Sequence, residues 1–93
     1  MQTNFIQDEK KDAALVREAM EKTDTYAEMA SWLTSVWQRK YGADFRNMIS
    51  LSYDLTEETL TLRCGNNVKT YEENELDMIA KDLTFFRRSQ SRG

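Results

Sequence analysis

Carboxylates crowd two places in this chain: Glu57 and Glu58, and then Glu72, Glu73, Glu75 and Asp77. Clustered acids can hold a divalent cation or divide general-acid and general-base work. The spacing matches no calcium loop of the D-x-[DN]-x-[DN]-G kind, so a solvated turn and the charged start of a helix account for them better. Cys64 is the single cysteine and the chain has no histidine. The Ser-His and Cys-His pairings of nucleophilic catalysis are therefore excluded, as are zinc sites of the finger type. No histidine or flanking lysine lowers the pKa of Cys64, the adjacent Arg63 points to the other face, and a buried structural thiol is expected. There is no proline, and glycines stand only at 42, 65 and 93. That is too sparse for a phosphate-cradling loop. Arg87, Arg88 and Arg92, with Ser89 and Ser91, offer a weak phosphate-contacting or phosphorylation signal. No catalytic set, no metal site and no cofactor are expected.

The bulk numbers point the same way. The chain has 93 residues, enough for one core, with 40% hydrophobic and 31% charged residues, as in a globular domain. A net charge of −3 disfavours general nucleic-acid binding. No apolar run is long enough to span a bilayer, and none reads as a signal sequence. One unpaired cysteine suits a reducing compartment, hence a cytoplasmic protein.

Periodicity supplies the scaffold. Residues 1–7 read as a frayed end or a short strand, "NFIQ". Residues 8–22 read as a helix with Leu15, Val16, Ala19 and Met20 on one face, and with Asp8, Glu9 and Asp12 meeting the helix dipole. Thr25 and Glu28 have capping-box spacing and open a second helix, 25–41. Its stripe is Tyr26, Met29, Ala30, Leu33, Val36, Trp37 and Tyr41, and Gly42 is placed to end it. Ile49, Leu51, Tyr53 and Leu55 then alternate with polar residues, as do Leu60, Leu62 and Cys64. "GNN" at 65–67 suits a tight hairpin turn into a third strand, "VKTYEE". Asn74 is a candidate cap for a last helix with Leu76, Ile79, Ala80, Leu83 and Phe86 on its stripe. The alternative is a final strand, "LTFFRR". Residues 89–93 read as a disordered tail. The fold class is α+β in one domain, 1–93: two helices on a small antiparallel sheet of about three strands, then a C-terminal helix.

Three side chains sit at the edge of these stripes. Trp32 lies about 100° from Leu33 around its helix. It either covers the rim of the sheet or faces a partner. Met78 and Phe85, seven apart, share a helix face that is not the Ile79/Leu83 face. Such an apolar strip marks self-association.

From Ala19 to Ile49 the sequence "AMEKTDTYAEMASWLTSVWQRKYGADFRNMI" resembles the two-helix region of dynein light chains and of the dynein-light-chain-like domains of flatworm tegument proteins. Ala19-Met20-Glu21-Lys22 matches the end of the first helix. Arg39-Lys40-Tyr41-Gly42 matches the basic-aromatic stop of the second, and Phe45 stands where the family has tryptophan. The second half departs: "LSYDLTEET" lacks the family's glycine, Ala27 and Arg46 replace a basic residue and a histidine, and "LDMIAKDLTFFRR" has no counterpart. The resemblance implies a non-enzymatic adaptor of cytoskeletal type, a homodimer that binds extended peptides by adding a strand to a sheet edge. The segment expected to carry that edge is Tyr53 to Arg63, through Tyr53, Leu55, Thr59, Thr61 and Arg63, with Trp32, Met78 and Phe85 as a possible interface. A second expectation is an αβββα nucleic-acid-associated module over residues 25–88, similar to the small protein subunits of the signal recognition particle Alu domain. The acidic balance opposes it.

Overall fold

The structure, a computed structural model, describes residues 5–91. Its elements run α1 (Phe5–Lys22), α2 (Tyr26–Phe45), β1 (Ile49–Asp54), β2 (Thr59–Cys64), β3 (Asn67–Glu72), a 3-10 turn (Glu73–Glu75) and α3 (Asp77–Ser91). The α+β class stands. One antiparallel sheet has the order β1-β2-β3, with Leu51 opposite Leu62 and Leu60 opposite Tyr71.

α2 and α3 pack against the sheet, and α1 packs on both of these helices. Ile49, Leu51, Leu60, Leu62, Cys64 and Tyr71 point into this helix layer and are buried, as are Leu33 and Trp37 of α2 and Ile79 and Leu83 of α3. The opposite face carries Ser52, Asp54, Thr61, Arg63, Thr70 and Glu72, the polar set that period-2 alternation leaves to solvent. α2 packs chiefly on β1, and α1 packs chiefly on α3. Trp32 is partly buried against the core, which is the rim-covering reading of that side chain.

Several expected boundaries are corrected. Phe5–Gln7 begin α1 and form no strand, while Asn4 lies outside the described residues. α2 runs through Gly42 to Phe45. Its stop is Arg46 at φ 54, whose backbone N–H reaches the Gly42 carbonyl, followed by Asn47 at φ 64. Gly42 serves instead to make room, since a Cβ there would stand 2.7 Å from Asn47 Oδ1. The start of α2 holds: Thr25 Oγ1 accepts from Glu28 N–H at 3.1 Å, while the Glu28 carboxylate returns to Asp24 N–H at 2.9 Å. Asn74 caps nothing; Glu72 and Glu75 form a reciprocal capping box around the 3-10 turn. "LTFFRR" is helix, not strand. α3 also takes in residues 89–91 of the expected tail, and 92–93 lie outside the described residues.

One polar cluster inside the helix layer escaped the sequence reading. Asp12 is fully buried in mid-helix rather than loading the first turn. Its carboxylate accepts from Tyr41 Oη at 2.9 Å, Thr84 Oγ1 at 2.6 Å and Arg87 Nη2 at 2.9 Å. The Arg87 guanidinium also lies 4.0 Å over the Tyr41 ring. A desolvated charge survives only when paired and hydrogen-bonded in this way. Burial presses the Arg87 pKa down, but the hydrogen bond it donates to Asp12 and the charge of that carboxylate outweigh that and raise it.

Candidate functional site

The two sheet edges differ in how their backbone groups are used. On β1, Leu51 N–H donates to Thr34 Oγ1 at 2.8 Å, and that hydroxyl donates back to Leu51 C=O at 2.8 Å. Gln38 Nε2 reaches Ile49 C=O at 3.4 Å. Leu51 therefore turns its main chain away from β2, and α2 covers that edge with side chains, as proteins do to block edge pairing.

Strand alternation then fixes the other edge. Leu62, opposite the outward-turned Leu51, directs its backbone to β3 and meets Lys69. Val68 and Thr70, one step to either side of Lys69, must point theirs outward. Glu72 N–H agrees: it leaves the sheet and donates to Glu75 Oε1 at 2.9 Å. Val68 and Thr70 thus present two N–H and two C=O groups that find no backbone partner among the described residues. Val68 is also 51% exposed.

α3 runs beside this open edge. Asp82 accepts from Lys69 Nζ at 2.9 Å and from Tyr71 Oη at 2.6 Å. Burial, then the hydrogen bond to Asp82, raises the Tyr71 pKa and keeps the phenol a donor. Met78 and Phe85 stand four before and three after Asp82, so they share its side of the helix. They are 40% and 59% exposed. The open edge is thus bordered by an apolar strip.

The expected edge residues are distributed differently. Thr59, Thr61 and Arg63 belong to β2, the central strand, whose backbone is used on both sides. They cannot accept an added strand, which corrects that expectation. Leu55 is 79% exposed in the β1–β2 turn and lies off the strand. Tyr53 is on β1 with its ring 5.6 Å from that of Tyr26 in α2, and its hydroxyl donates to Glu73 Oε2 at 3.1 Å. Burial, then that hydrogen bond, raises its pKa. Sequence reasoning missed Val68 and Thr70. The signal existed in the order of the hairpins: two tight turns in succession make a meander, whose middle strand is never an edge.

The chemistry-bearing residues are accounted for locally. Glu72 and Glu75 serve the capping box, and Glu73 holds Tyr53. Among the described residues no group of acids and cysteine could hold a metal ion. Cys64 is fully buried, and burial pushes its thiol up to about 11, away from thiolate chemistry. Among the described residues no helix is long and apolar enough to cross a membrane.

No protein-family model, no curated protein and no solved structure matches this chain.

Proposed function

We propose that the protein is a non-enzymatic interaction module that binds extended peptide segments by strand addition to β3. The observation that carries this reading is the contrast between a β1 edge closed by Thr34 and Gln38 and a β3 edge open at Val68 and Thr70. An added strand would gain main-chain hydrogen bonds from those two residues and side-chain contacts with Met78 and Phe85. The resemblance of residues 19–49 to dynein light chains favours the same class, and with it a dimer and a cytoplasmic, cytoskeletal setting. The lone buried thiol suits a reducing compartment.

The nucleic-acid reading has its element order in α2-β1-β2-β3-α3. It lacks the electrostatics. The open sheet face sets Arg63 against Asp54 and Glu72, whereas phosphate contact needs a surplus of cations.

Thr70→Pro tests the site directly. The substitution removes an outward N–H that no ladder bond uses, so the fold is expected to persist. Peptides selected from a displayed library of random extended sequences should lose binding to the variant by about tenfold or more. Selected peptides that bind both forms equally, or a library that yields none, would refute strand addition at β3. Light scattering on both forms reads self-association through the same edge.

A further inference from the structure

A second surface lies on the far side of the helix layer, where the C-terminal half of α1 passes the start of α3. The two helices are antiparallel: Asp8 pairs with Arg88 at 2.8 Å and Asp12 with Thr84, so Val16 and Met20 come level with Ala80 and Leu76. Between them is a groove of about 490 Å³. Val16 and Ala80 are its buried lining residues, Ala13 and Leu76 are half-buried, and Met20 is 50% exposed; Tyr26 of α2 lines it too. One rim carries Glu73 and Asp77, and the other carries Arg17.

We propose that this groove docks an amphipathic helix of a partner protein, apolar where it enters, basic along the flank that meets Glu73 and Asp77, and acidic along the flank that meets Arg17. Two arguments select that occupant. The α1 bank, Ala13 to Arg17, is mid-helix with its backbone groups internally bonded, so that side offers no main-chain partners. An extended segment lying there would leave its own amides unpaired, whereas a helix brings its hydrogen bonds with it. Small residues on both banks also permit the close approach that helix packing requires, and the flexible Met20 adapts to different anchors. Charge then sets the polarity. The rim itself carries Glu73 and Asp77, and the whole chain carries −3, so a basic flank is drawn to that side. This surface is separate from the β3 edge, and the two can fail independently.

The probe is a fluorophore-labelled synthetic peptide with leucines at i, i+3, i+4 and i+7, lysines along one flank and glutamates along the other. Anisotropy should show saturable micromolar binding that weakens with salt. Met20→Glu and Asp77→Lys alter exposed positions, and unchanged melting curves would verify their folds. Met20→Glu should weaken binding by about tenfold or more, since it places a charge in an apolar contact. Asp77→Lys should weaken it too, and a peptide with its two flanks exchanged should recover affinity for that variant. No saturable binding below about 1 mM would overturn the proposal. So would equal binding by both variants, or loss of binding in Thr70→Pro but not in Met20→Glu. Self-association of the protein that Met20→Glu abolishes would identify the occupant as a second copy and likewise overturn it.

Discussion

Asp12 is a carboxylate with no solvent exposure, and three helices converge on it. Removing it leaves the largely buried Arg87 guanidinium without its counter-charge, the costly way to break such a pair. Asp12→Ala should therefore lose about 3–5 kcal/mol in urea denaturation. A double replacement, Asp12→Leu with Arg87→Met, should recover most of that loss, because apolar groups of similar volume suit a desolvated site. If the double variant were as unstable as the single, the cluster would owe its worth to more than charge pairing. The sequence held half of this arrangement. Asp12 falls on the stripe of Val16 and Ala19, and Arg87 lies four after Leu83, so each breaks an apolar pattern. What it did not hold was the pairing, which spans separations of 29, 72 and 75 residues. No local rule distinguishes an acid that meets a helix dipole from one that meets an arginine across the core.

At the scale of elements, periodicity located α1, α2, β1 and β2, because each buries one continuous face, while β3, which buries only Tyr71, was placed by the turn before it and the 3-10 turn was missed. The boundaries moved where a local signal met a tertiary one. Gly42 looked like a stop, but α2 continues until Phe45 reaches the core, and Arg46 and Asn47 take the positive φ that a terminal glycine would have taken. "LTFFRR" could alternate as a strand or wind as a helix; the contacts of Leu83 and Thr84 with the helix layer favour the helix. Edge status was illegible from single strands, since it depends on what lies beside them. Thr34 shows this most sharply, because one hydroxyl both accepts from and donates to Leu51 across 17 positions. Thr34→Val keeps the shape and deletes the closure. It should destabilise by about 1–3 kcal/mol, the range for stranding paired backbone groups. It should also make the protein self-associate through β1, visible as a rising mass in light scattering. Unchanged stability together with unchanged mass would mean that α2 shields that edge by bulk alone.

Across the whole molecule, the helix layer and the sheet share one interior, and two of its groups, Tyr41 and Cys64, are pushed further to the alkaline side. Burial, and then the nearby charge of Asp12, raises the Tyr41 phenol from 10.0 to about 12. Burial raises the Cys64 thiol from 9.0 to about 11. Both groups are neutral when protonated, and both folded pKa values exceed their unfolded ones. Their contribution to stability is therefore complete below about pH 9 and disappears as pH climbs through the folded values. A two-unit shift corresponds to roughly 2–3 kcal/mol for the fully buried thiol, and to less for Tyr41, which keeps some contact with water. Arg87 works in the opposite direction from a failing partner: its raised pKa keeps it charged across this window, so Asp12 retains its counter-ion while the neighbouring phenol deprotonates. The expected course is a flat stability profile through neutrality, then a decline of a few kcal/mol between about pH 9 and 12 in urea midpoints. Cys64→Ala should shrink the first part of that decline, and Tyr41→Phe the second, which Tyr71 shares because burial and its hydrogen bond to Asp82 raise its pKa too. The part of the tyrosinate absorbance that Tyr41→Phe removes should appear together with unfolding, not before it. Early tyrosinate signal for Tyr41 in a still-folded protein would show that the phenol is open to solvent, and with it that α1, α2 and α3 do not close around Asp12.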